Sequence, residues 1–311
     1  MTRFSTSTRP KIWSPPGCAM IFDRVAILDW SAAKGPKRGK DSIWVATATP
    51  IGCIAQNLPT RATAEAALVT LITDSLAQNH RLLLGADFAF GAPAGFVARL
   101  TGQAAALSWW HWLAQHITDT AENLSNYRQI AAQMNSVFPG DGPFWGNNER
   151  MPTPGLPRLK PALPPGLTPH RATDLAARGP GSSPKPVWQL AGAGAVGAQV
   201  LTGLPVLHRM QQRFAGQLSV WPFEPPTTPV VLAEVYPSLL ANAVRRHTST
   251  TGMVTDEAQV RVLATALHRL GPADMSRLFT LPHPTPDEGW MPEEGWILGA
   301  GHAALLQAAL C

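Results

Sequence analysis

The sequence predicts an α/β fold built on a mixed sheet, from three observations. Three short apolar runs, 24–30 (RVAILDW), 41–50 (DSIWVATATP) and 51–58 (IGCIAQNL), come early, the last two joined by a tight turn, as in an antiparallel meander. A helical pattern at 61–79 then leads to a fourth apolar run, RLLLGADF at 81–88, as a crossover to a further strand requires. Finally, 45% hydrophobic and only 14% charged residues in a chain of 311 allow a large buried core and exclude a disordered chain.

Each element has its own signal. In 61–79, Ala64, Leu68, Leu71, Ile72 and Leu76 recur at helical spacing. Helical material fills 93–136, and 139–186 holds 12 Pro in 48 residues, the composition of a binding loop or an insertion. A helix is expected near 195–214, and a strand at 230–240 after the turn WPFEPPTTP. At 256–270, Val260, Leu263, Ala264, Leu267 and Leu270 form one stripe, with Asp256 and Glu257 in the first turn, where acids favour the helix dipole. The end, 293–310, reads as a short strand or turn and a last helix. The expected organisation is a flexible tail at 1–19, a core of 20–92 and 215–311 with helices flanking the sheet, and a long helical, Pro- and Trp-rich insertion at 93–214.

Several classes are set aside. Cys18, Cys53 and Cys311 are too few and too scattered for a disulfide framework or a CxxC metal site, which favours a reducing, cytoplasmic setting. The start has no apolar stretch of the kind a secretory signal needs. The longest uncharged stretch, 187–207, is interrupted by Gln189, Gln199, Thr202 and Pro205, so no membrane span is expected. No GxSxG elbow or HExxH appears. The net charge of +5 is local: Arg3, Arg9 and Lys11 in the tail and Lys34, Lys37, Arg38 and Lys40 in one loop supply seven cations, and without them the chain stands at −2.

Acids are scarce, 20 in all, yet several lie where acids are expensive. Asp29 ends an apolar run, Asp87 lies in LLLGADFAF, Glu234 lies in VVLAEVYP, and Asp256 opens the amphipathic helix. Were the strands neighbours, these carboxylates would meet at one sheet edge, and an oxygen-only cluster suits Mg²⁺ or Mn²⁺. Lys34, Lys37, Arg38 and Lys40 then form either a solvated hairpin loop or a phosphate clamp beside Asp29, and Arg171 belongs either to a solvated loop of the insertion or to the same phosphate-binding edge. Either a solvated edge or a metal site accounts for any one acid; the coincidence of several favours the site.

The segments ILDWS (27–31), GADFAFGAP (85–93), AEVYPS (233–238) and the Asp256 helix resemble the four acidic blocks of a ribonuclease H-like family of predicted nucleases, a domain of unknown function. The resemblance covers roughly 20–92 and 215–270. It implies a ribonuclease H-like mixed sheet with three antiparallel leading strands, and Asp29, Asp87, Glu234 and Asp256 as catalytic metal ligands. One departure is that a second acid often stands three residues into the last helix, where this chain has Gln259. Three further blocks, NSVFPGDGPFWG (135–146), WQLAGAGAVGAQV (188–200) and EEGWILG (293–299), resemble bacterial proteins labelled molybdopterin-guanine dinucleotide synthesis. A nucleotidyltransferase of that pathway would open with a strand and a basic Gly-rich loop, whereas LAGAGAVG (190–197) comes late and carries no basic residue.

Gly192, Gly194 and Gly197 spell the dinucleotide fingerprint, but no acid occurs between Asp174 and Glu224 to bind a ribose, so close helix packing explains them equally well. Phosphate contact by the loop's N–H groups stays open. Most of the eleven Trp are expected in core or insertion packing, and Trp30 and Trp145 would stack bases if the site binds single strands. The expectation is a divalent-metal-dependent phosphodiester hydrolase acting on nucleic acid or a nucleotide. The alternatives are a nucleotide-handling protein of molybdenum cofactor synthesis and a non-catalytic binding module on the same fold.

Overall fold

The structure is a computed structural model describing residues 20–280 and 291–311; the expected tail 1–19, with Cys18, lies outside the described residues. Six strands, β1 (Arg24–Asp29), β2 (Ile43–Thr49), β3 (Gly52–Leu58), β4 (Leu82–Ala86), β5 (Leu218–Trp221) and β6 (Val230–Glu234), form one sheet in the order β3-β2-β1-β4-β6-β5. The pairs β1/β2 and β2/β3 are antiparallel, and β1/β4, β4/β6 and β6/β5 are parallel. The protein is therefore α/β, with a mixed sheet whose three leading strands are antiparallel.

Burial explains the strand sequences. β4 and β6 lie inside the sheet, buried on both faces, and accordingly read as unbroken apolar runs. β3, at the edge, alternates exposed and half-buried residues. β5 is only LSVW, too short for periodicity to announce it. The run expected to be a strand over 230–240 stops at Glu234, because Pro237 has no N–H for the ladder and opens a 3₁₀ turn, Pro237–Leu240.

Helices cover both faces. Helix α1 (Arg61–Ala77) starts at a Thr60–Thr63 capping box. Helices α2 (Phe96–Thr101), α3 (Ala106–His116), α4 (Tyr127–Asn135), α5 (Ala172–Ala176) and α6 (Gly197–Arg213) belong to the 93–214 stretch. After β6 come α7 (Ala241–Thr251), α8 (Thr255–Arg269), α9 (Pro272–Leu278), α10 (Met291–Glu294) and α11 (Ala303–Ala308). One sheet face, through Ala26, Leu28, Leu84 and Leu232, shares a core with Phe96, Trp109, Trp110, Phe144 and Trp188. The Pro- and Trp-rich stretch thus packs as a layer of the same core. The other face, through Val25, Ile27, Leu83 and Val231, buries α8 by way of Val260, Leu263 and Leu267.

Candidate active site at the carboxyl edge of the sheet

The parallel register places the first two acids side by side. Leu28 pairs with Ala86, the Asp87 N–H donates to the Leu28 carbonyl at 2.9 Å, and Asp29 and Asp87 are the next residues along each chain. Neighbouring strands lie about 4.8 Å apart, and residues in register share a face. Asp29 continues the row of Val25 and Ile27 on the α8 side, while Asp87, one residue beyond the end of β4, feels the Glu234 carboxylate and itself acts on Asp29. Glu234 pairs with Ala86 and continues the row of Val230 and Leu232, on the opposite face. Strand alternation thus turns Asp29 and Glu234 to opposite faces, with Asp87 at the edge between them.

The two sides differ electrically. Burial, and then the Asp87, Asp256 and Asp41 carboxylates, pushes Asp29 well above the ordinary range. Burial, with the Glu234 carboxylate second, pushes Asp87 up to about 8. Neither side chain is in an ion pair or hydrogen bond among the described residues.

Glu234, by contrast, is fully occupied. The Arg171 guanidinium donates to both its oxygens, at 2.6 and 2.7 Å, and the Phe90 N–H donates at 2.9 Å. Arg171 also donates to Asp174, at 2.7 Å, and to the Glu294 carbonyl, at 3.0 Å. Burial works against the Arg171 charge, yet Asp174 and Glu234 hold it firmly protonated. Burial still pushes Glu234 up, with Arg171 pulling it down. Arg171, expected to bind phosphate, is instead a buried clamp between the insertion and β6. Its guanidinium is spent on carboxylates.

The remaining predicted groups also find partners. Asp256, half-buried at the start of α8, accepts the Asp41 N–H at 2.5 Å. Burial pushes it up, and that N–H bond and Lys40 and Lys37 pull it down. Lys34 pairs with Glu149 of the insertion, Lys37 with Asp41 at 3.4 Å, and Arg38 donates to the Asn57 carbonyl at 2.8 Å. Of the four loop cations, Lys40 alone has no ion pair or hydrogen bond among the described residues. Trp30 does not present a stacking face: it is buried, and its Nε1–H donates to Thr202 at 3.1 Å. Trp145 is half-buried, its backbone paired with Trp188 and Leu190.

A cavity of about 210 Å³ adjoins Asp87. Asp87 and Tyr236 from the sheet edge meet Ser183, Lys185, Gly194 and Gln199 from the insertion around it. Part of the Gly fingerprint thus borders the acid edge. Gly197, however, is a packing residue, since a Cβ there would lie 2.4 Å from the Val187 carbonyl. The other structural acids are Glu293 and Glu294, which accept the N–H groups of Gly95 and Ala98 and of Ala94 and Ala172, at 2.7–3.1 Å. Gly91 permits that docking, because a Cβ there would lie 2.1 Å from the Glu293 carbonyl. Lys185 carried no recognisable motif, and Tyr236 and the Glu293–Glu294 pair lay in quoted blocks, AEVYPS and EEGWILG, without being singled out.

As a ligand set for Mg²⁺ or Mn²⁺, Asp29 and Asp87 fit: they are adjacent, oxygen-only, and without a cationic partner among the described residues. Glu234 does not fit, since Arg171 occupies both oxygens. No group of three or more His, Cys, Asp or Glu able to hold a metal occurs among the described residues. The donor set is thus a carboxylate pair, the number Mg²⁺ commonly takes from a protein when phosphate and water complete its shell. Among the described residues no helix is long and apolar enough to cross a membrane. No protein-family model, curated protein or solved structure matches the chain.

Proposed function

We propose that the chain is a divalent-metal-dependent phosphodiester hydrolase on a ribonuclease H-like sheet, with Asp29 and Asp87 as its metal ligands. The observation that carries the reading is the Asp29–Asp87 pair, two neighbouring carboxylates raised by burial and by other acids and left without a counter-charge. Such an arrangement costs stability in the apo protein, and a bound cation would reverse the sign. Mg²⁺ or Mn²⁺ held there supplies Lewis acidity toward a phosphoryl oxygen and lowers the pKa of water.

The chain's own residues do the rest. Asp29 and Asp87, fixed on adjacent strands, set the position of the ion; Asp87 must lose its proton to bind, so binding tightens as pH rises toward about 8. Asp256 holds the basic loop to the edge through the Asp41 N–H, and adds to the negative field at Asp29. Arg171 keeps Glu234 out of the ligand set and fixes the strand that borders Asp87.

The test is cleavage of a labelled phosphodiester with and without Mg²⁺ or Mn²⁺, by wild type and by Asp29→Asn and Asp87→Asn. Metal-dependent cleavage lost at least 100-fold in both variants supports the reading. Unchanged cleavage in either one removes it.

A further inference from the structure

We propose that the cavity beside Asp87 takes one phosphorylated sugar unit, free or at the end of a chain, rather than the body of a nucleic-acid duplex. The hydrolase reading decides what happens to that phosphate; the binding assignment deepens it but is measured separately.

Size is the first reason. About 210 Å³ lies below the roughly 300–1,000 Å³ of pockets for drug-sized ligands, a scale that suits a sugar phosphate and falls well short of a helical segment. Chemistry is the second. Val187, Val196, Val235 and Ile297 offer an apolar wall for a sugar or base, while Asp87 and Lys185 stand on the same cavity. Arg171 lines it too, but its guanidinium is already neutralised by Asp174 and Glu234. Lys185 is exposed, has no ion pair or hydrogen bond among the described residues, and lays its stem along Gly194, 3.6 Å from where a Cβ would stand. It is the lining cation left to meet a phosphate.

The third reason is what lies near Asp29. A long backbone needs a row of available cations, each releasing counterions. Three of the four cations in the 31–40 loop are spent on Glu149, Asp41 and the Asn57 carbonyl. One or two phosphates can be met at this edge; a duplex tract cannot.

The experiment is calorimetric titration of the full chain with a nucleoside, its 5′-monophosphate, a 5′-phosphorylated single-stranded pentamer and a 20-base-pair duplex, each at two salt concentrations. The expected result is binding of the monophosphate at least tenfold tighter than the nucleoside, and weaker at the higher salt concentration. Lys185→Glu should weaken it at least tenfold, and Lys34→Glu less than twofold. A pentamer that binds as well as the monophosphate identifies a chain end, and one that does not identifies a free ligand. The proposal is overturned if Lys185→Glu changes nothing, if nucleoside and monophosphate bind alike, or if the duplex binds tightest with a slope steeper than about −3. Lys185-dependent binding without metal-dependent cleavage of any substrate keeps the cavity assignment and removes the hydrolase. Duplex cleavage indifferent to Lys185→Glu does the reverse.

Discussion

Two carboxylate groups stand one strand apart at the same sheet edge, and they have opposite electrical fates. On the insertion side, Glu234 and Asp174 share the Arg171 guanidinium, and the cluster is closed. On the other side, Asp29 and Asp87 have no cation of their own among the described residues, and burial raises both, helped by Asp87, Asp256 and Asp41 at Asp29 and by Glu234 at Asp87. The same residue types thus serve as structure in one place and as an open ligand pair in the other. What separates them is one arginine, supplied from far along the chain.

Arg171→Met breaks the closed side and has the largest expected effect. Removing the guanidinium leaves Glu234 and Asp174 buried without a counter-charge, which costs about 3–5 kcal/mol of stability. Urea unfolding would show it directly. Adding Glu234→Gln and Asp174→Asn to Arg171→Met should recover part of the loss, because no buried charge then remains unpaired. A wild-type midpoint in Arg171→Met would remove the clamp from the account.

Asp87→Asn acts on the open side, with the opposite sign. It removes a repelled, partly desolvated carboxylate, and should stabilise the apo protein by about 1 kcal/mol at pH 8, or about 2–4 °C in Tm. Cleavage should be lost in the same variant. A stabilised, inactive protein distinguishes a ligand pair from an ordinary strand-end acid, whose replacement would leave stability near its starting value.

The contrast also sharpens with pH. Folded-state values raised above the unfolded ones mean the native state holds extra protons, so the contribution of Asp29 and Asp87 is fully present below about pH 4. It is lost as pH rises through the folded value, about 8 for Asp87. Apo stability should therefore decline between pH 6 and 9, and Mg²⁺ should restore more of it at pH 9 than at pH 6, since protons and metal compete for the same oxygens. Thermal melts at both pH values, with and without Mg²⁺, would check this; a Mg²⁺ effect independent of pH would place the ion elsewhere.

The sheet was legible because its strands announce themselves. β1 and β4 are apolar runs ending in an acid or one residue short of one, and periodicity marks α1 and α8. β5 escaped because four residues carry no period, and α7 because its sequence, ANAVRRHTSTT, has few apolar positions. Asp29 and Asp87 were legible as costly acids in apolar runs, but not the face each one takes. That depends on parity across a strand pairing: Glu234 aligns with Ala86, one residue before Asp87, and the offset turns it to the other side. Arg171 was expected at this edge, but not as a clamp on carboxylates, since its partners lie 3, 63 and 123 residues away and no local pattern links them.

Lys34→Ala has the smallest expected effect, and it tests whether the basic loop belongs to the open side at all. Lys34 is exposed and its partner Glu149 belongs to the insertion, with Arg128 also 3.1 Å from that carboxylate. Lys34 first and Arg128 with it hold Glu149 below the ordinary range, and the Arg128 contact would remain after the substitution. An exposed pair of this kind is worth about 0–1 kcal/mol, so the midpoint should move by no more than about 0.5 kcal/mol. Cleavage should likewise change less than twofold, because Lys34 is already committed to Glu149 and has little charge to offer a substrate. A tenfold fall in cleavage at unchanged stability would show instead that Lys34 leaves Glu149 for a phosphate. The distinction between spent and available cations, on which the preference for a small ligand depends, would then have to be redrawn.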